Sequence, residues 1–436
     1  MKYKFKNVLV YGASISGEWA CKLLLKLKAN VFLFDDNIES LKRKILKGCY
    51  ILQELNENLI SQFDFIVVSP SIEKDNKFLQ FAKKYDVPVC SEIGLASLFC
   101  KNYVAVTGTN GKTTTVELIT KILSKKCKAV ACGNNGYPVS RAVLENKKSI
   151  KVMEVSSFML EHLETFKPKV ATVLNISPDH LVRHKTMEEY ANLKINIFKN
   201  LDIKSFAVVN LDNQIKPNNN TMLVTYSYNK TADVYVKNGY IFIRSQKLMA
   251  LNELPLKGKH NVYNVMCAIC YGLIYKVSPQ KIKQAILEFK PESFRIEYIG
   301  KINGINFVND SKSTNIASTL ASVETVKGSI ILLLGGSNKS LNYELLFSKL
   351  SKRVKLVLVY GEIAEELAKS NNQQFKMQTC FNLNEAFDYA VNIAKPNDTI
   401  LLSPATASYD QFKNYIERGK AFNLKVKEYE KASKQK

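Results

Sequence analysis

The chain has 436 residues, of which 46% are hydrophobic, and a formal net charge of +23 at pH 7. That length suits about three domains and that hydrophobic fraction supplies ordinary globular cores. No apolar run approaches the roughly 18 residues that span a bilayer, and the start at Met1 leads into a strand without the apolar region of a signal peptide. Nine cysteines, an odd number scattered along the chain, suit a reducing cytoplasm better than a disulfide framework. The charge alone points to nucleic acid. Only 7 of the 62 basic residues are Arg, however, the lysines are dispersed, and no basic cluster is interleaved with aromatics. The composition reads as a cytoplasmic protein whose cationic surface steers anionic small molecules; no nucleic-acid or membrane partner is expected, and the expected state is a monomer.

Residues 1–90 alternate strands and helices. Apolar runs over 7–11, 31–34 and 65–68 read as buried parallel strands. The first runs into Gly12-Ala-Ser-Ile-Ser-Gly17, a degenerate form of the dinucleotide fingerprint with Ser14 in place of the second Gly. The second ends at Asp35-Asp36, where an acid commonly reads a ribose or base, and Ser69-Pro-Ser71 follows the third. On spacing alone, a nucleotide crevice and a plain structural αβ unit stand about equal.

Residues 91–293 carry the strongest motif. A buried strand over 103–107 runs into Gly108-Thr109-Asn110-Gly111-Lys112-Thr113-Thr114, with a helix starting near Lys112. Turn N–H groups and a helix N-terminus then face one point, which stabilises a phosphate. Lys112 is placed to lie along the β/γ-phosphates and Thr113 to ligate Mg²⁺. The usual pattern has Gly where Val106 stands; here Gly108 comes later. Further strands over 151–155 and 170–176 deliver Glu154, and then Asn175 with the run to Asp179-His180, to the carboxyl edge where α/β ligands bind. Asn238-Gly239 is a hairpin signal in a small β insertion. Lys259-His260-Asn261-Val-Tyr-Asn264 opens an apolar helix, in which Cys267 and Cys270 read as core packing rather than a metal site. A linker over 290–293 follows.

Residues 294–436 form a third α/β block, with strands over 305–308, 330–334, 356–360 and 399–402. Polar turns follow three of them, at 309–315, 335–340 and 403–408. Their Lys, Ser and Thr residues suit an anionic ligand; three ordinary αβ turns are the equal alternative on spacing.

Thr107–Thr114 resembles the ATP loop of the Mur ligases and folylpolyglutamate synthases. Glu154-Val-Ser-Ser-Phe158, Asn175 to His180, His260 to Asn264, and Asn309-Asp-Ser-Lys312 occur in that family's order over nearly the whole chain. The resemblance implies an α/β fold of three domains. These are a Rossmann-like uridine-nucleotide domain (1–90), a P-loop ATPase-type central domain (91–293) and a Rossmann-like C-terminal amino-acid domain (294–436). It implies an ATP-dependent carbon–nitrogen ligase of peptidoglycan precursor synthesis. Asp310-Ser-Lys-Ser-Thr-Asn315 and the segment from Leu402 to Tyr415 point to UDP-N-acetylmuramoyl-L-alanine and D-glutamate as substrates. A folate-type ligase, or one for another amino acid, is the alternative.

Carried over residue by residue, the resemblance gives catalytic roles to Lys112, Glu154, His180, Lys194 and Lys312. ATP would meet Gly108, Thr109, Asn110, Gly111, Lys112, Thr113, Thr114, Asn264, Arg295 and Asp310. Two Mg²⁺ ions are implied, with Thr113 and Glu154 at one, and His180 and Lys194 at the other. Lys194 would serve as a CO₂-derived carbamate, since an ammonium cannot ligate a cation. Ser14, Ile15, Ser16, Asp35, Ser71, Asn134 and His180 would meet the uridine substrate. Thr314, Lys339, Ser408 and Tyr415 would meet D-glutamate. Three positions depart from the family pattern: Val182 stands where an acid is usual, Tyr415 where Phe is expected, and Asn37 where a basic residue is expected.

Overall fold

The computed structural model describes residues 5–37, 47–163, 165–217, 220–290, 293–338 and 342–434. Three sheets account for its strands, and two compact units account for its packing. One unit comprises 1–176, 188–254 and 263–289; the other comprises 177–187, 255–262 and 290–436.

The first sheet joins β1 (Asn7–Tyr11), β2 (Asn30–Phe34), β3 (Cys49–Ile51), β4 (Phe65–Val68) and β5 (Val89–Ser91) in the order β3-β2-β1-β4-β5. All pairings are parallel. This is the order in which the chain reverses direction beside β1, so the ends of β1 and β4 border the crevice where such sheets bind ligands. Val8, Val10 and Val67 face one apolar cluster, while Leu9, Tyr11 and Ile66 face another, as period-two strands buried on both sides require.

The central sheet contains β6 (Tyr103–Thr107), β7 (Ala129–Gly133), β8 (Ile150–Glu154), β9 (Val170–Val173), β10 (Phe206–Asn210), β11 (Met222–Ser227), β12 (Val234–Lys237), β13 (Tyr240–Ile243) and β14 (Gln246–Ala250). Their order is β14-β13-β12-β11-β10-β9-β6-β8-β7. Both neighbours of β6 are parallel to it, so three strand ends open on one edge. The expected Asn238-Gly239 hairpin is present: both residues have positive φ (50° and 76°), as a type I′ turn needs, and β12 pairs antiparallel with β13. That insertion extends the central sheet. Cys267 and Cys270 are fully buried in the Lys259–Ile274 helix.

The second unit holds β15 (Glu297–Ile302), β16 (Ile305–Asn309), β17 (Ser329–Gly335), β18 (Val354–Tyr360), β19 (Met377–Cys380) and β20 (Asp398–Leu402), ordered β15-β16-β20-β17-β18-β19. Only β15 runs antiparallel, through a second turn of the same kind at Asn303-Gly304. The last strand inserts between β16 and β17, which brings the three turns after β16, β17 and β20 side by side. Leu332 and Leu334 pack on one face and Ile331 and Leu333 on the other.

Candidate active site

The phosphate-type loop is held from both sides. After β9, the Asn175 carbonyl accepts from Thr109 N (2.9 Å). The Asn175 side chain accepts from Asn110 N (2.9 Å) and donates to Asn110 O (3.0 Å). Two glycines are dictated by this clasp. Gly108 has φ 153°, and a Cβ there would stand 3.0 Å from the Leu174 Cβ. Gly111 has φ 85°, and a Cβ there would lie 2.4 Å from Asn264 Oδ1. Gly111 is also the N-cap of the Lys112–Ser124 helix, so its backbone turns the first free N–H groups toward the loop. Asn264 therefore packs against this turn.

Lys112 Nζ folds back over the loop and donates to Gly108 O and Thr109 O, both at 2.8 Å. Thr114 is buried and Thr113 half-buried. Lys194, on the Met187–Ile195 helix, is enclosed at 1% exposure. Its ammonium donates to Gly108 O (3.0 Å) and lies 4.6 Å from the centre of the Tyr190 ring. The Tyr190 hydroxyl in turn meets Thr109 Oγ1 at 3.2 Å. Sequence reasoning assigned nothing to Tyr190; its place one helical turn before Lys194 was the available signal.

Glu154 closes the other flank. The register places it beside Val106, directly before the loop. It is 2% exposed. Its Oε1 accepts from Asn134 Nδ2 (3.0 Å), and the Asn134 N–H donates to the Glu154 carbonyl (3.0 Å). Oε2 is enclosed and has no hydrogen-bond partner among the described residues, as is also true of Thr107 Oγ1. A buried carboxylate oxygen left bare is costly unless a cation or donor arrives to use it.

At the edge of the first sheet, Ser69 Oγ lies 3.2 Å from both Ser14 Oγ and Ser71 Oγ, and Ser14 Oγ lies 2.9 Å from Ser16 Oγ. Ile15 is exposed beside them. Asp35 accepts from Ala13 N (2.6 Å) and Asn37 N (2.9 Å), so its carboxylate holds the Gly12 turn. Ser14, Ile15, Ser16, Asp35 and Ser71 are thus gathered at one edge, whereas Asn134 bonds to Glu154 in the central sheet and His180 belongs to the second unit.

The remaining expected residues belong to the second unit. Asp179 accepts from His180 N (3.0 Å) and from Asn315 Nδ2 (3.1 Å), and His180 Nε2 stands 3.7 Å from Asp179 Oδ2. Val182 lies in the Leu181–His184 helix. Asp310 is fully buried; it accepts from Ile296 N (3.2 Å), Ser403 Oγ (2.7 Å) and Ser322 Oγ, and burial raises its carboxyl above the usual range. Its carboxylate therefore ties strand-end turns together. Burial first, and the Arg295 charge second, lower the His260 imidazole to about 4.

Lys312 Nζ stands 5.4 Å from the centre of the Tyr415 ring. Thr314 follows in the same turn, and Ser408 is buried, its carbonyl accepting from Phe412 N at 2.8 Å. Lys339 lies outside the described residues. Beneath these turns is Arg418, also missed from sequence. It is wholly enclosed and donates to Ser311 Oγ and O, Gly335 O, Thr406 O and Ala407 O at 3.0–3.3 Å. One guanidinium thereby locks all three turns. In the sequence it is a single Arg in a polar terminal helix, with no pattern to mark it.

A glycine-clasped phosphate loop between parallel strands, with an enclosed carboxylate on the adjoining strand, fits a nucleoside-triphosphate site, and the comparisons define the class as an ATP-dependent ligase. Residues 106–272 match the Mur ligase middle domain, and residues 294–406 match the Mur ligase, glutamate ligase domain. The chain belongs to the Mur ligase family. Within it, the chain is 37% identical to the UDP-N-acetylmuramoylalanine–D-glutamate ligase of Caldicellulosiruptor bescii, over 98% of this chain and 99% of that one. It is 33% identical to the ligase of the same name from Lachnoclostridium phytofermentans, over the full length of both. Among solved structures, a pseudomurein peptide ligase type C from Methanothermus fervidus superposes with a TM-score of 0.63 at 20% identity, over 97% of this chain and 100% of that one. The UDP-N-acetylmuramate-alanine ligase MurC from Thermotoga maritima gives 0.60 at 16%, over 98% and 100%. These likenesses establish the fold, in agreement with the α/β architecture expected from sequence.

Proposed function

We propose that the protein joins D-glutamate to UDP-N-acetylmuramoyl-L-alanine in peptidoglycan precursor synthesis, at the expense of ATP. The observation that carries this reading is the end-to-end match to relatives named for that reaction. The chemistry follows from charge. A substrate carboxylate must approach the γ-phosphate, and two anions repel, so positioning and neutralisation are the main tasks. The phosphoryl group passes to the carboxylate, giving an acyl phosphate and ADP. The amine of D-glutamate then attacks the activated carbonyl and loses a proton, the C–N bond forms, and the C–O bond breaks as phosphate leaves with one former carboxylate oxygen.

The loop amides from Gly108 to Thr114 and the Lys112 ammonium suit the phosphates. The bare Glu154 oxygen and the Thr113 hydroxyl suit an oxygen-ligated divalent cation. Mg²⁺ bound there supplies charge neutralisation on the transferring phosphoryl group. Lys194, enclosed beside the loop, is the residue we assign as the carbamate, a change that turns +1 into −1 and creates oxygen ligands. His180, Asn264, Arg295 and Asp310 keep the expected roles toward metal and nucleotide. Ser14, Ile15, Ser16, Asp35, Ser71 and Asn134 keep theirs toward the uridine substrate. For D-glutamate, hydroxyls of Thr314 and Ser408 and the cation of Lys339 match two carboxylates, with Tyr415 alongside.

Phosphate release from ATP, measured with UDP-N-acetylmuramoyl-L-alanine and a panel of amino acids, tests the reading. Release that requires D-glutamate, with a product heavier by one glutamyl residue, is expected. Release with a different amino acid would move the specificity, and none with any pair, while ATP still binds, would overturn the ligase reading.

A further inference from the structure

Trp19, the only tryptophan of the chain, lies one turn into the Ile15–Lys26 helix that opens at the Ser14 crevice. The Val139–Glu145 helix, which follows the loop carrying Asn134, packs against it. Ala20 of the first helix shares one apolar cluster with Val139 and Ala142 of the second. At this contact Arg141 meets two rings: its Cζ stands 5.0 Å from the centre of Trp19 and 4.8 Å from that of Tyr137. Its Nε donates to both Glu145 oxygens, at 3.1 and 3.0 Å. The Tyr137 hydroxyl donates to Glu145 Oε2 (2.7 Å) and accepts from Asn146 Nδ2 (2.9 Å). Lys22, paired with Glu18 at 2.6 Å, lies 4.2 Å from the centre of the same Trp19 ring.

Helix stability does not account for this arrangement. An Arg four residues before a Glu is the weaker order for such a pair, and a Glu in the last turn faces the negative end of the helix dipole. What Glu145 does is fix the guanidinium and the Tyr137 ring together. Tyr137 in turn closes the Asn134 loop, its carbonyl accepting from Gly133 N at 2.8 Å. The loop's far end is tied by Glu92, which is 3% exposed and accepts from Ser140 N at 2.5 Å. Pro138, in the N-cap position, gives no side-chain cap of its own. Between these anchors Asn134, Asn135 and Gly136 are exposed. Among the described residues, a Cβ on Gly136 would meet nothing within 4 Å. The tip of the loop therefore takes its position from its ends.

We propose that Arg141 is a positioning residue for the uridine substrate. By joining Tyr137 to Trp19, it sets the Asn134 loop against the Ser14 edge before the substrate arrives, so binding does not have to order the loop. Arg141 acts through Asn134. A flat guanidinium suits two rings, whereas a Lys ammonium would serve one. The identity of the substrate rests on the ligase reading above.

The test is calorimetric titration of the full chain with UDP-N-acetylmuramoyl-L-alanine, and separately with ATP, in the wild type, Arg141→Leu and Arg141→Lys. Arg141→Leu should weaken the uridine ligand about tenfold and Arg141→Lys about threefold, with ATP affinity held within about twofold in both. Unchanged uridine affinity in Arg141→Leu, or an equal loss for both ligands, would overturn the proposal. The wild type is assayed for the glutamyl product in parallel. Binding without product would fail the ligase reading while the affinity ratio still decides this one. A wild type that binds ATP but not the uridine ligand would overturn it.

Discussion

Gly111 carries two constraints at once. Its φ of 85° disfavours any side chain, and Asn264 occupies the space where a Cβ would stand. Gly111→Ala should therefore displace the loop from the helix N-terminus and lower kcat/KM by about 100-fold or more, read by phosphate release alongside a check of the fold by circular dichroism. Lys194 makes a different demand. If it works as a carbamate, Lys194→Ala should lose most activity, and short-chain carboxylic acids should restore part of it by occupying the vacated space. Loss without rescue in a folded protein would leave Lys194 as a structural residue. His260 titrates through stability. Burial and Arg295 hold it neutral to about pH 4, below the ordinary 6.5. The unfolded chain binds the proton first as pH falls, so the contribution is full above 6.5 and lost as pH drops toward about 4. Denaturant midpoints over that window should fall less steeply in His260→Gln than in the wild type; parallel curves would exclude His260 as the cause.

At the scale of elements, Arg418 binds the turns after β16, β17 and β20 into one platform. Arg418→Met leaves five acceptors without their donor, a loss of roughly 3 kcal/mol or more. Chemical denaturation should show it, whereas a change below about 0.5 kcal/mol would mean the turns hold themselves. The same region shows what was legible beforehand. The strands β1, β2, β4, β6, β16, β17, β18 and β20 are near-continuous apolar runs because both faces are covered, and such runs stand out. The short strands β3, β5 and β19 and the antiparallel β15 do not: they lie at sheet edges with half-exposed residues, so neighbours rather than their own composition make them strands. Asn303-Gly304 was a usable hairpin signal before β16 that passed unread. In the site, loop, carboxylate and lysine were visible as motif and strand ends. The Asn175 clasp, the bare Glu154 oxygen and the buried Arg418 arise from contacts between distant segments, and no local pattern encodes them.

For the molecule as a whole, the net charge of +23 and the absence among described residues of a helix long and apolar enough to cross a membrane leave a basic body that draws in anions. Every substrate in the proposed reaction is anionic, so the charge assists encounter while the site provides selection. The central claim is that ATP activates the uridine substrate's carboxylate as an acyl phosphate before D-glutamate attacks. The direct test places heavy oxygen in that carboxylate, supplies ATP and D-glutamate, and weighs the released phosphate. The account predicts one heavy oxygen in each phosphate, transferred when the C–O bond breaks. Phosphate carrying only ordinary oxygen, from a reaction that still forms the glutamyl product, would contradict it.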